Sequence, residues 1–132
     1  MKQFIIMSLL VVFVTATGFN FIQTKPWPVP DKAAKTANPL KADAATIAAG
    51  KSLWSVHCAS CHGKMGLGDG SKAAQLKTQP DDFSKAAFQN QSDGSLFYKV
   101  VEGRDDMPAY KKKIPDTDDI WSLVIYMRTM KK

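Results

Sequence analysis

The chain has 132 residues, a formal net charge of +6 and only two cysteines. Once the first residues are set aside, this length allows one ordinary domain. Residues 43–132 carry 13 basic against 11 acidic side chains, so most of the excess positive charge lies in the N-terminal part of the chain. Because a nucleic-acid-binding domain concentrates basic charge on its folded part, the composition argues against nucleic acid as a partner.

The first 22 residues have the pattern of a targeting segment. Lys2 precedes an apolar run over residues 4–14, and small or polar residues follow it. This order is typical of a cleaved signal peptide. Residues 4–22 are also just long enough to cross a bilayer as a helix, so an uncleaved membrane anchor is the alternative. Both interpretations predict an exported protein, in the periplasm or at the outer face of the cytoplasmic membrane.

Residues 23–42 are predicted to be a linker between this segment and the domain. Four prolines favour an extended, semi-rigid backbone here: Pro26, Pro28, Pro30 and Pro39. The domain then comprises residues 43–132, which is enough chain for a modest hydrophobic core. A bound prosthetic group would enlarge that core.

Two helices are expected to pack together within the domain. Residues 43–61 have helical periodicity, and Gly50 lies on the apolar face. A glycine inside a helix costs about 1 kcal/mol relative to alanine, so we expect it to permit the close approach of a second helix. The partner is predicted after Asp116, a capping residue followed by an almost wholly apolar run. Trp54 and Tyr126 are expected to pack around Gly50.

The most informative motif is Cys58-Ala59-Ser60-Cys61-His62. Two cysteines three residues apart are neighbours on one helix face, so both thiols can reach the two vinyl groups at one porphyrin edge. A histidine directly after them can place an imidazole nitrogen on the iron. The C-x-x-C-H spacing therefore predicts the covalent attachment of haem c.

Three other interpretations of the motif are weaker. A redox dithiol usually lies near a βαβ pattern, and the sequence shows no convincing strand alternation. A structural zinc ion needs four ligands, but only His57 remains to complete the set, and six helical residues cannot surround a metal. A disulfide across so short a loop offers little entropic benefit. We interpret His57 as a surface or packing residue, because it precedes Cys58 on the attachment helix.

Met107 is predicted to be the second axial ligand of the iron. It lies in a polar loop, far in sequence from His62. The loop follows a helix predicted over residues 95–102, with Asp93 as a plausible cap and Gly103 as its stop. Pro108 fixes φ and stiffens the position after the sulfur. Ligation by histidine and methionine raises the reduction potential.

Together these elements resemble a class I cytochrome c over nearly the whole of residues 43–132. The matching elements are Gly50-Lys51-x-Leu53-Trp54, Cys58-Ala59-Ser60-Cys61-His62-Gly63, the glycine-rich stretch from Gly66 to Gly70, Met107-Pro108 and Trp121-x-Leu123-Val124-x-Tyr126. The resemblance implies a small all-α fold of three to five helices around one covalently bound haem. It also implies that a backbone carbonyl, usually a proline's, accepts a hydrogen bond from the proximal imidazole, and Pro80 is the candidate.

The predicted function is single-electron transfer, because an iron with both axial positions filled binds no substrate. Redox proteins are the expected partners, and the run Lys111-Lys112-Lys113 could steer acidic docking surfaces towards the protein. The alternative is a membrane-tethered haem domain or subunit of a larger oxidoreductase complex. A haem enzyme or gas sensor is disfavoured, because the sequence shows no obvious distal acid or base. The loop acids Asp105 and Asp106 are expected to face solvent.

Overall fold

The computed structural model describes residues 26–132, so the predicted signal peptide or anchor, residues 1–22, lies outside the described residues. The described part is helical and contains no strand, which confirms the predicted all-α class. Its α-helices are α1 (Asp31–Ala34), α2 (Ala44–His57), α3 (Ala59–His62), α4 (Ala86–Gln89), α5 (Asp93–Glu102) and α6 (Thr117–Arg128). A 3-10 helix, Ala73–Gln75, connects α3 to α4. Over residues 26–132 no helix is long and apolar enough to cross a membrane.

The fold is built on direct packing of α2 against α6. The side chain of Asp43 caps α2 by accepting a hydrogen bond from the amide of Thr46 at 2.9 Å. A Cβ atom added at Gly50 would lie 2.8 Å from Cβ of Tyr126 and 2.7 Å from the carbonyl carbon of Ser122. Only a glycine allows this approach. The predicted close contact of the two helices at this position is confirmed.

The C-terminal helix α6 is buried on nearly all sides, as its apolar sequence predicts. Asp116 caps it by accepting a hydrogen bond from the amide of Asp118 at 2.9 Å. The buried positions are Ile120, Trp121, Ser122, Leu123, Val124, Ile125 and Met127. The core of the domain therefore surrounds this helix.

Two helix boundaries differ from the prediction. Helix α5 begins at Asp93 rather than at residue 95, because the hydroxyl of Ser92 is the cap and accepts from the amide of Ser95 at 3.2 Å. Asp93, the predicted cap, instead pairs with Arg128 at 2.6 Å. The helix predicted over residues 43–61 is two helices, since the φ of Cys58 is −118°, far from helical values.

The part of the predicted linker that the structure describes lies against the domain. We call residues 26–42 the strap. Helix α1 of the strap packs on α5. The hydroxyl of Ser92 donates a hydrogen bond to the carbonyl of Ala34 at 2.6 Å, and the side-chain amide of Asn38 donates to the backbone carbonyl of Trp121 at 3.2 Å. The strap is thus held by the domain, and it is not a free extended spacer.

Candidate functional site

All five residues predicted for the haem site line one pocket. They are Cys58, Cys61, His62, Pro80 and Met107. The pocket has about 760 Å³ of empty space, counting the part that is open to solvent, and its lining is mostly apolar. The fold therefore brings together residues that the sequence places far apart.

The two cysteines are held at the junction of α2 and α3. Both have free thiols, and Cys58 is buried whereas Cys61 is half-buried. Burial raises the pKa of the Cys58 thiol to about 12, and the charge of Cys61 acts in the same direction. The Cys58 sulfur is therefore uncharged at neutral pH. Within residues 26–132 no group of three or more histidine, cysteine or acidic side chains could hold a metal ion.

His62 is the last residue of α3, and its imidazole is partly buried in the pocket wall. Burial lowers the pKa of this ring, although the charge of Asp81 partly opposes the shift. The ring is therefore neutral at pH 7, which is the form that binds a metal.

The Nδ1 atom of His62 is buried and has no hydrogen-bond partner among residues 26–132. Burying a polar atom without a hydrogen-bond partner costs about 1–3 kcal/mol of stability. The ring therefore needs a further partner. Pro80 lines the same pocket, and the predicted bond from the imidazole to its carbonyl stays a prediction. An apolar pocket with two free thiols and an imidazole whose Nδ1 atom lacks a hydrogen-bond partner fits a covalently attached haem.

A shell of aromatic rings positions His62. The indole N–H of Trp54 donates to the carbonyl of Gly63 at 3.1 Å, which fixes the chain directly after the histidine. The ring of Phe83 lies 4.9 Å from the imidazole, and that of Trp54 lies 5.7 Å from it, centroid to centroid. Phe83 in turn stacks on Phe88 at 3.7 Å. The imidazole therefore has little freedom to leave the pocket wall.

Met107 lies in a tight reversal of the chain after α5. Its backbone exchanges two hydrogen bonds with Arg104, at 2.8 and 2.9 Å, and Asp105 between them has a φ of 52°. The hydroxyl of Tyr110 donates to the carbonyl of His57 at 2.7 Å and ties this loop to the end of α2. The half-buried Met107 side chain is thereby held in the same pocket as the attachment motif.

Asp106 is a structural residue of the site that the sequence did not reveal, since the loop acids are expected to face solvent. The carboxylate of Asp106, although exposed, accepts hydrogen bonds from the amides of Lys77 and Thr78 at 2.7 and 3.3 Å. These bonds join the Met107 loop to the segment that carries Pro80. No local sequence pattern signals a contact between residues almost thirty positions apart.

Comparison with known proteins identifies similar chains. A family model described as "Cytochrome C oxidase, cbb3-type, subunit III" matches residues 45–127. Among solved structures, a chain of the "Kuenenia stuttgartiensis reducing HAO-like protein complex Kustc0457/Kustc0458" is 26% identical with a TM-score of 0.66. The match covers 83% of this chain and 53% of that chain, so this chain spans about half of its length.

A second solved structure, "KustC0563 c-type cytochrome", is 28% identical with a TM-score of 0.54. This match covers 63% of this chain and 98% of that chain. No curated protein is similar enough to this chain to match it.

Proposed function

Because the chain belongs to the family of cbb3-type cytochrome c oxidase subunit III, we propose that it shuttles single electrons between redox proteins through an iron ligated by His62 and Met107. Its cofactor is one covalently bound haem c, and the class I mono-haem cytochrome predicted from the sequence is confirmed. The family and the c-type cytochrome neighbour support electron transfer as the function.

One observation carries the proposed ligation: Met107 lies in the same pocket as Cys58, Cys61 and His62. The cysteines would hold the porphyrin by two thioether bonds, and His62 and Met107 would fill the two axial positions. When bound, the haem would supply a one-electron couple. A thioether ligand raises the potential of that couple.

The protein's own contribution is to keep both ligands in place. The aromatic shell restrains His62, and the carbonyl of Pro80 is our candidate partner for its Nδ1 atom, which would fix the ring and tune the iron. The hydrogen bonds of Asp106 and Tyr110 hold the Met107 loop from two directions. Little has to move when the oxidation state changes, which suits a carrier.

The location and partners belong to the same proposal. Cytochrome c domains of this family are typically extracytoplasmic, and we place this protein in the periplasm or at the outer face of the cytoplasmic membrane, with membrane association through the N-terminus as one arrangement. Lys111, Lys112 and Lys113 are exposed and follow Tyr110, which lines the pocket. Such a run would speed association with an acidic redox partner more than it would tighten the complex.

A second candidate is a haem-bearing subunit of a larger oxidoreductase complex. The matching family is named for a subunit of an oxidase, and one structural neighbour is a chain of a protein complex. Membrane fractionation followed by size-exclusion chromatography of the detergent extract separates the two. A carrier, whether soluble or tethered through its N-terminus, elutes alone, whereas a subunit co-elutes with its complex.

The test of the proposed site is the optical spectrum of the purified, reduced protein with and without carbon monoxide. A closed iron with His62 and Met107 as ligands gives the same spectrum in both cases. Met107→Ala provides the positive control, because removing the thioether opens a position for carbon monoxide. Rapid binding of carbon monoxide to the unaltered protein would overturn the assignment of Met107 and favour an enzyme or gas sensor.

A further inference from the structure

Among residues 26–132, the pocket has one wall residue that lies outside the part of the chain matched by the family model. Trp27 belongs to the strap, and the family match begins only at residue 45. Its half-buried indole lines the same pocket as Cys61 and Met107. A large aromatic side chain from a segment predicted to be a linker is therefore part of the cofactor pocket.

Two cations hold Trp27 in this position. The guanidinium carbon of Arg104 lies 4.6 Å from the centre of the indole, and the ammonium of Lys99 lies 5.4 Å from it. Both distances are within the range of a cation–π interaction. Arg104 also donates a hydrogen bond to the carbonyl of Pro26 at 3.1 Å. Because Arg104 is the residue that pairs with Met107 across the loop, the strap and the ligand loop are directly joined.

The rest of the strap is fixed to α5 at a site built for close approach. A Cβ atom added at Gly94 would lie 2.7 Å from the carbonyl oxygen of Thr36 and would also clash with the carbonyl of Ala33. The hydroxyl of Ser92 donates to Ala34 beside it. Trp27 is therefore held by its own contacts. The chain that follows it is held by the docking of α1 on α5.

We propose that Trp27 is a haem-contacting wall residue, supplied by the strap, that raises the reduction potential of this cytochrome. The inference rests on the haem site proposed above. An apolar ring in the wall limits the access of water to the cofactor, and water stabilises the more highly charged ferric state. The same ring keeps the cations of Arg104 and Lys99 close to the pocket, which favours the reduced state in the same direction.

The experiment compares the reduction potentials of the full-length holoprotein and of its Trp27→Ala and Trp27→Phe variants. We expect Trp27→Ala to lower the ratio of reduced to oxidised protein at a fixed ambient potential by roughly three- to tenfold, where tenfold corresponds to about 59 mV for one electron. Trp27→Phe keeps an aromatic ring and should retain most of the potential. Haem attachment, measured by haem staining of denatured protein, should be unchanged in both variants.

A remote variant tests whether the strap is what holds the ring. Gly94→Ala leaves the pocket residues untouched but pushes residues 33–36 away from α5. It should shift the potential in the same direction as Trp27→Ala, and the double variant should shift no further than Trp27→Ala alone. A potential in Gly94→Ala equal to that of the unaltered protein would overturn the role of the strap's docking.

The two proposals fail in different ways. If the unaltered protein carries covalent haem and Trp27→Ala has the same potential, the role of Trp27 is overturned while the haem site stands. An equal shift in Trp27→Ala and Trp27→Phe would overturn the role of the aromatic ring. If the unaltered protein carries no covalent haem, the site itself is overturned, and the inference about Trp27 is overturned with it.

Discussion

The two sides of the pocket are built differently. On the His62 side, the attachment motif is a single run of five residues, and buried aromatic rings hold it: Trp54 and Phe83. On the Met107 side, an exposed loop is held by a few hydrogen bonds to distant segments, through Asp106 and Tyr110. Changes on the first side should therefore decide whether the cytochrome forms, and changes on the second should adjust how it works.

The largest effect is expected from Cys58→Ser combined with Cys61→Ser. Without the two sulfurs no thioether bond can form, so acid–acetone extraction should remove all haem from the protein. Ser60→Ala lies between the two cysteines and should leave haem attachment intact. Haem that remained attached to the double variant would contradict the assignment of the whole site.

Met107→Ala should leave haem attached but lower the reduction potential, because the ferrous state loses the thioether that stabilises it. Potentiometric titration of the purified variant measures this shift. Met65→Ala is the matched control, since Met65 is 63% exposed and lies close in sequence to His62. Equal potentials in Met107→Ala and the unaltered protein would mean that another group ligates the iron.

Gly50→Ala tests the support of the His62 side. The added methyl group meets the backbone of Ser122 and Cβ of Tyr126. Overpacking of this kind costs about 1–3 kcal/mol, more than the helix propensity of alanine returns. Denaturant unfolding followed by circular dichroism should show this loss, whereas the exposed substitution Lys51→Ala should change the free energy of unfolding by about 0.5 kcal/mol or less. An unfolding midpoint that Gly50→Ala leaves unchanged would show that α2 and α6 can separate without cost.

The smallest effect is expected from Asp106→Asn. The substitution removes the charge of the side chain, so its oxygen accepts the hydrogen bonds of the Lys77 and Thr78 amides more weakly. The free energy of these bonds should fall by about 1 kcal/mol. The ligand loop should open more often, so that cyanide binds to the ferric protein several times faster. Asp105→Asn is the control, because the Asp105 side chain is 64% exposed and pairs with its neighbour Arg104 rather than with a distant segment. If cyanide bound to Asp106→Asn and Asp105→Asn at the same rate, Asp106 would not be the residue that holds the Met107 loop in place.

The features that local physics determines were predictable from the sequence. The haem attachment motif, the contact of α2 with α6 at Gly50 and the cap Asp116 each follow from a few neighbouring residues. The choice of Ser92 over Asp93 as the cap of α5 was not predictable, because either side chain can cap a helix. Their roles were decided by Arg128, which lies 35 positions away and takes Asp93 as its partner.

The contacts that close the pocket could not be predicted from the sequence either, because their partners also lie far apart along the chain. Asp106 and the strap residue Trp27 act on segments that are distant along the chain, and no periodicity or motif marks such pairs. The prolines of the strap predicted a semi-rigid linker, but such a pattern does not say where the segment lies. Its position depends on Gly94, a residue that in the sequence is simply one glycine in a helix.

The packing of α2 against α6 also sets an order of events during synthesis. The two helices lie far apart in the sequence of the domain, so their contact cannot form until residues 117–128 have been made. Contacts between segments this distant in sequence are typical of domains that fold more slowly. The core of the domain surrounds α6, so it is the part of the fold that is completed last.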